Sequence, residues 1–295
     1  MIGTTVSHYR IVGKLGVGGM GVVYDAEDEK LARKVALKFL PDELAGDPDA
    51  TRRFRREAQT IALLNHPQIC TIYEVDEHES RTFIAMERLD GTNLKAHMAR
   101  KTLAMPEIVD IALQIAQALD GAHSKGVIHR DIKPGNIFVS DRGRVKVLDF
   151  GLARRIPAET PAFEMEGSTM PGRPIGTASY MAPERILQMP LDPRCDLFSL
   201  GVVMYEMATG RLPFAAASPA ETVTNILEKD PAPVTALSPN MSGQFDRIVT
   251  KLLMKNAEDR YASASALCVD LEALRARPTR PSLFGRMFGR LTSRS

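Results

Sequence analysis

An α+β fold, with a small antiparallel sheet and one key helix at the N-terminus and a larger, mainly helical remainder, is what this chain of 295 residues predicts. Two patterns carry that expectation. The N-terminal third holds short runs rich in β-branched and aromatic residues: Val22-Val23-Tyr24, Lys34-Val35-Ala36-Leu37-Lys38-Phe39, Cys70 to Val75 and Arg81 to Met86. Beyond them, apolar residues recur at helical spacing from Pro106 to Ala122, and a second apolar stretch runs from Leu197 to Met207, too short to span a membrane. With 44% apolar residues the chain can bury a large core. A formal charge of +2 gives no support to a general nucleic-acid or acidic-surface partner. Cys70, Cys195 and Cys268 are scattered without metal-ligand spacing, which suits reduced thiols in a cytosol. Neither a signal peptide nor a spanning segment is visible.

The glycine run Gly16-Val17-Gly18-Gly19-Met20-Gly21 could suggest a dinucleotide-binding turn, but such a turn opens a helix at its third glycine. This one leads into Val22-Val23-Tyr24, so the glycines sit at a hairpin tip whose backbone N–H groups can lie over phosphates. No Gly-Lys-Ser/Thr of the Walker type is present. On the next strand Lys34, Ala36 and Lys38 share one face of a period-two pattern. A lysine ending an apolar strand is usually just solvated; the glycines upstream give Lys38 its second reading, as a phosphate contact. A helix is predicted from near Pro48 to Thr51 towards Leu64, with Phe54, Glu57, Ala58 and Ile61 near one face, so that Glu57 can point inward. Arg52, Arg53, Arg55 and Arg56 on that helix invite a nucleic-acid reading, but Glu57 and the acidic segment Asp42 to Asp49 offset them and favour a solvated face. After the helix, His66 in Asn65-His66-Pro67 reads as a structural hydrogen-bonder in a turn.

The helical part carries the chemistry. Its first long helix would support a loop after Gly126, where His129-Arg130-Asp131-Ile132-Lys133-Pro134-Gly135-Asn136 stands. A strand pair predicted over 136–140 and 144–148 leads from it to Asp149-Phe150-Gly151. An acid, a lysine, an amide and a second acid in that order match phosphoryl transfer from magnesium ATP. The transition state is loose and its charge sits on equatorial oxygens, so a protein mainly positions the reactants and neutralises charge. Asp131 would accept or orient the proton of the attacking hydroxyl, and Lys133 would hold the transferring phosphate. Asn136 and Asp149 offer hard oxygen ligands suited to a cation that is otherwise bound by water and substrate phosphates. Alone, Asp149-Phe150-Gly151 is read as a turn after an apolar strand; the two motifs together favour the functional reading.

With these motifs spread from Gly16 to Arg260, the chain resembles the eukaryotic-type protein kinase superfamily in its bacterial Ser/Thr form. The resemblance implies a two-lobed protein-kinase fold: an N-lobe over 1–89, a C-lobe over 90–276 with an activation segment over 149–184, and a basic tail over 277–295. It implies ATP as cofactor with Mg2+, or Mn2+ as the alternative. The glycine loop, Gly16 to Gly21, would cover the phosphates, and Lys38 would meet the α- and β-phosphates while paired with Glu57. Met86 falls at the gatekeeper position, the adenine edge would bond the hinge backbone from Glu87 to Leu89, and Val23, Ala36 and Phe138 would sandwich the ring. Asp196 would tether the backbone around His129 and Arg130, an ordinary helix N-cap being the other reading. Glu184 and Arg260 would form a buried ion pair.

The segment between Asp149 and Glu184 is rich in Pro, Gly, Ser and Thr and too long for a plain connector. Met181-Ala182-Pro183-Glu184 closes it as the family's activation segment closes, and Arg130 would order it once phosphorylated. Ser168 and Thr169 are the candidate phosphosites, with Thr160 behind them. Lys133, together with Thr177 bonded to Asp131 and Lys133, implies Ser/Thr specificity. Ala178, Phe198 and Ala257 depart from the family's usual proline, tryptophan and proline, which touches the substrate groove and not the chemistry. Protein substrates and a homodimer for trans-autophosphorylation follow as partners, and no nucleic acid. A nucleotide-binding pseudokinase scaffold is the alternative, and a small-molecule kinase of related fold a third reading. The complete set Lys38, Glu57, Asp131, Asn136 and Asp149 argues against the scaffold, and the intact activation segment with Lys133 against the small-molecule kinase. After Glu272 no acids occur, while arginines accumulate around Leu283, Phe284, Met287, Phe288 and Leu291 at helical spacing. That tail is read as a flexible linker, a weak contact with an anionic membrane surface, or a docking segment. The expected location is cytoplasmic, with attachment to the inner face of the membrane as the variant. Members of the family often continue into a membrane span and sensor domain, which leaves a longer chain open.

Overall fold

Alternation along strand β4 (Arg33–Phe39) sets the construction of the first lobe. Val35, Leu37 and Phe39 face one way and pack with Val6, Tyr9, Ile11, Ala26, Phe83 and Ala85. Ala36 belongs to the opposite cluster, with Phe54, Ala58, Cys70, Ile84 and Met86. Both faces of the strand are therefore covered, which burial of the β-branched and aromatic side chains favours. The computed structural model describes residues 1–18, 21–40, 47–79, 81–150 and 175–276. Six antiparallel strands make this sheet in the order β1 (Thr5–Val6), β2 (Tyr9–Gly18), β3 (Gly21–Asp28), β4, β6 (Arg81–Glu87) and β5 (Ile72–His78). The two expected lobes are this sheet, with helix α1 (Pro48–Ala62), and the mainly helical part that follows.

Helix α1 starts where Asp47 caps it: the carboxylate accepts from the backbone of Asp49, and a proline stands in the first turn. Phe54, Ala58 and Ile61 are buried on one face, as their spacing predicts. Among its arginines, Arg52 pairs with Asp49 and Arg55 with Glu77, so these two charges are locally neutralised. His66 accepts from the backbone of Gln68 and packs beneath Gly121, where an added Cβ would lie 2.9 Å from the His66 ring. Strand β5 starts two residues later than predicted. The chain at 68–70 is drawn to the other lobe instead: Cys70 N–H donates to Val147 O and Val147 N–H to Gln68 O.

A second, three-stranded sheet of β7 (Thr92–Asn93), β8 (Ile137–Val139) and β9 (Val145–Val147) begins the larger lobe. Gly91 just before it has φ +126°, and a Cβ there would come within 2.3 Å of Val139 O, so only glycine fits. Helix α2 (Leu94–Arg100) leads to α3 (Met105–His123), whose Ile108, Ile111, Ala112, Ile115, Ala118 and Leu119 are buried. After the short α4 (Pro183–Ile186) comes α5 (Arg194–Thr209), apolar all round and buried from Cys195 to Tyr205. A helix enclosed on every side needs close neighbours, and Gly201 admits one: a Cβ there would meet Leu252 Cβ of α8 (Gly243–Leu252) at 2.7 Å. Helices α6 (Pro219–Glu228), α7 (Val234–Leu237) and α9 (Ala264–Arg275) complete the lobe, α9 packing along α3. Among the described residues no helix is long and apolar enough to cross a membrane. The tail over 277–295 lies outside the described residues.

Candidate active site

The loop between α3 and β8 is held by a few strong hydrogen bonds. Asp196, fully buried in the first turn of α5, accepts from His129 N–H at 2.8 Å and from Arg130 N–H at 2.7 Å. The helix N-cap position is Pro193, so Asp196 is a tether and not a cap. His123, at the end of α3, places Nε2 2.8 Å from the same carboxylate. Arg130 has φ +68°, a conformation L-residues take only where surroundings hold it. His129 then couples the two motifs. Its Nδ1 accepts from Asp131 N–H at 3.1 Å, which leaves the ring proton on Nε2, donated to Leu148 O at 2.9 Å. Its ring lies 4.5 Å from that of the buried Phe150.

Asp131 is buried, and its Oδ2 receives Asn136 Nδ2 at 2.9 Å and Lys133 Nζ at 2.8 Å. Asn136 also donates to Asp131 O, so its amide nitrogen is engaged and its Oδ1 is the atom left for other use. The 3-10 turn Pro134–Asn136 places it there. Across the cleft Lys38, buried at the end of β4, puts Nζ 2.6 Å from Asp149 Oδ1. Asp149 itself has φ +58°. Asn136 and Asp149 thus offer oxygens, while among the described residues no three His, Cys, Asp or Glu side chains group as an all-protein metal cage. That donor set fits a hard cation completed by phosphates and water.

The nucleotide side of the cleft is built by strand pairing. Gly16, Val17 and Gly18 pair with Val23, Val22 and Gly21, a hairpin and not a helix opening; Gly19 and Met20 lie outside the described residues. Val23 pairs with Lys38 and Ala36 with Met86, so four expected nucleotide contacts stand on adjacent strands. Phe138 is half-buried between buried Ile137 and Val139, on the other face of β8. Glu87 N–H is taken by Thr71 O, and its side chain pairs with Lys146 at 2.7 Å. Leu89 packs at the margin of the cluster that contains Ala36 and Met86. Behind Met86, a small cavity lined by Lys38, Cys70, Ile84, Asp149 and Phe150 closes the cleft. Burial pushes the Cys70 thiol there up to about 12, so it stays protonated.

Arg130 borders an open pocket of about 450 Å³ with Arg185, Gln188 and Met189, and among the described residues its buried Nε has no hydrogen-bond partner. Glu184 and Arg260 form a bidentate pair at 2.7 and 2.9 Å. The side chains of Glu57 and Thr177, and all of Thr160, Ser168 and Thr169, lie outside the described residues; Thr177 falls within the 3-10 turn Ile175–Tyr180. Sequence reasoning missed four participants. His123, Lys146, Arg185 and Glu206 each reach a motif residue or its neighbour across 26 residues or more. The one local signal was the arginine that directly follows Glu184.

A cleft between an antiparallel-sheet lobe and a helical lobe, with Lys38 and Asp149 on one side and Asp131, Lys133 and Asn136 on the other, is the architecture of the two-lobed kinase fold. The protein kinase domain family matches residues 9–271. A probable serine/threonine-protein kinase of Streptomyces coelicolor is 40% identical over 274 residues, covering 90% of this chain and 39% of its own length. Serine/threonine-protein kinase PknB of Mycobacterium tuberculosis is 40% identical over 277 residues, covering 91% of this chain and 44% of its own. The PknI kinase domain of M. tuberculosis superposes with a TM-score of 0.73 at 28% identity, over 92% of this chain and 98% of that one. The chain belongs to the protein kinase domain family, in its bacterial serine/threonine form, and spans about two fifths of the length of these curated relatives.

Proposed function

We propose that this chain transfers the γ-phosphate of ATP to serine and threonine hydroxyls of proteins, with Mg2+ as its metal and Mn2+ as a substitute, under control of phosphorylation in the segment over 149–184. The observation that carries the reading is Asp131 Oδ2 held by both Asn136 and Lys133, beside a cleft that Lys38 and Asp149 close. Asp131 orients the acceptor hydroxyl and takes its proton. Lys133, 2.8 Å from that carboxylate, neutralises charge on the transferring group. Lys38 holds the α- and β-phosphates, with Glu57 as its proposed partner on α1. Asn136 Oδ1 and the Asp149 carboxylate hold the metal. When bound, ATP supplies the phosphoryl group and the cation offsets its charge.

The N-lobe over 1–89 is proposed to bind nucleotide through Gly16 to Gly21, Val23, Ala36, Met86, Glu87 and Leu89, with Phe138 of the C-lobe on the other side of the ring. The C-lobe over 90–276 is proposed to bind the protein substrate. Arg130, which lines the pocket and whose buried Nε has no partner among the described residues, supports a role in receiving a phosphate from Ser168, Thr169 or Thr160. Autophosphorylation in trans between two copies, and a cytoplasmic site of action with the tail as a linker or, as the variant, in weak contact with an anionic membrane face, complete the proposal. The complete set of charged residues disfavours a scaffold without turnover.

The experiment is incorporation of labelled γ-phosphate into this protein and a basic acceptor with Mg2+, beside Asp131→Asn. Label on Ser or Thr that falls to a small residual level in the variant is expected; absence of label despite ATP raising the melting temperature points to a scaffold. Mass spectrometry of ATP-treated protein is expected to find phosphate between residues 149 and 184.

A further inference from the structure

The peptide unit joining Arg130 to Asp131 is gripped at both ends. Its N–H, on Asp131, donates to His129 Nδ1 at 3.1 Å, and its carbonyl, on Arg130, accepts from the Arg185 guanidinium. The preceding unit is held too, through Arg130 N–H on Asp196 Oδ1 at 2.7 Å. Arg130 needs that support, because at φ +68° its side chain crowds its own backbone. The orientation of the Arg130–Asp131 plane fixes the direction in which the Asp131 side chain leaves the backbone.

Arg185 is itself anchored. It follows Glu184 on α4, whose two carboxylate oxygens are both held by Arg260, and Arg260 further donates to the carbonyls of Arg194, Met254 and Lys255. Burial disfavours the Arg185 charge, and Asp131 is the strongest of the charges that favour it. A planar fork that stays charged while half-enclosed is what arginine supplies and lysine does not.

We propose that Arg185 is a positioning residue for Asp131: seated on α4, it fixes the Arg130–Asp131 peptide plane and makes turnover depend on how the end of the 149–184 segment is docked. This rests on the reading of Asp131 as the group that receives the hydroxyl proton.

The test compares Arg185→Gln, Arg185→Lys, Asp131→Asn and the double variant Arg185→Gln/Asp131→Asn in full-length chain, with kcat expressed per ATP-binding site. Arg185→Gln is expected to lower kcat roughly 10- to 100-fold, the effect of a small misplacement at a reacting group, with the KM for ATP within about twofold. Arg185→Lys, which keeps a charged donor, is expected to recover at least half of that loss on a logarithmic scale. In the Asp131→Asn background, Arg185→Gln is expected to change residual turnover by less than about twofold, because residues acting as one unit are not additive. An equal loss in both backgrounds makes Arg185 a general structural contact and overturns the inference. So does an unchanged kcat in Arg185→Gln while Asp131→Asn is inactive. Full turnover in Asp131→Asn overturns the reading of Asp131 itself, and the inference falls with it. Arg185→Lys is read on the same scale if Arg185→Gln does not fold.

Discussion

Lys38 Nζ and Asp149 Oδ1 stand 2.6 Å apart, and this contact ties the end of β4 in the sheet lobe to a residue two positions beyond β9 in the helical lobe. Lys38 is nearly enclosed, with a side chain 5% exposed, while Asp149 retains 18%. The pair is largely buried, so its loss should be felt in stability as well as in chemistry. Lys38→Met is expected to lower kcat roughly 10²- to 10³-fold, the usual scale for removing one preorganised charge at a reacting centre. Steady-state kinetics at saturating ATP, with a melting curve beside them, check this. A variant that keeps wild-type kcat would remove Lys38 from the machinery.

Asp196 gives the complementary case, a residue whose loss should unfold the loop. It is fully buried and accepts from two backbone N–H groups and from His123. Asparagine in its place turns one acceptor into an NH2 group aimed at donors. Asp196→Asn is expected to lose roughly 3–5 kcal/mol, the scale for breaking a buried charged network by changing one partner. Urea unfolding measures it, and turnover should fall with it because Arg130 loses its support. A loss under about 1 kcal/mol would show that the loop is held mainly by other contacts.

Physical reasons separate what could be read in the chain from what could not. Asp131, Lys133 and Asn136 lie within six residues, and the chemistry of each follows from its type and spacing. Alternation likewise predicted that Lys38 and Ala36 share a face, and both belong to the cleft side of β4. Asp196 was placed near the loop by resemblance, but its position inside α5 and not at the cap depends on where that helix starts, which is at Arg194. The start of β5 was misplaced because residues 68–70 pair with β9, a contact that local propensity cannot show. His123, Lys146 and Arg185 were missed for the same reason: each acts through a partner more than fifty residues away.

The Glu184–Arg260 pair separates two kinds of loss. The Arg260 side chain is fully buried and donates to three carbonyls as well as to Glu184. Arg260→Met strands all of these acceptors together with the carboxylate, whereas Glu184→Gln leaves an oxygen that can still accept. Arg260→Met is expected to lose roughly 3–5 kcal/mol and Glu184→Gln clearly less. Denaturant unfolding of both variants tests the order, and equal losses would mean that the charge of Glu184 outweighs the carbonyl contacts.

Glu206 on α5 predicts a pH dependence with a definite sign. Its Oε2 accepts at 2.6 Å from the O–H of Tyr180, the last residue of the turn Ile175–Tyr180. Burial raises the Glu206 carboxyl above its ordinary value near 4.5, and the Tyr180 hydrogen bond and the Lys95 charge offset that only in part. Folded protein therefore keeps this proton to higher pH than the unfolded chain does. As pH rises through the range above about 4.5, the unfolded state releases the proton first, and the stability that the neutral carboxyl allowed is lost. Once the folded state has also ionised, the penalty stays constant. Glu206→Gln removes the titration while keeping an oxygen for Tyr180, so wild type minus variant isolates this one group. The expected result is that the variant gains on wild type as pH rises from 4 and that the gain levels off where the folded carboxyl has ionised. Urea unfolding of both proteins between pH 4 and 8 measures the difference directly. A difference that does not vary with pH would show that Glu206 titrates alike in both states, and that the Tyr180 bond and Lys95 fully compensate its burial.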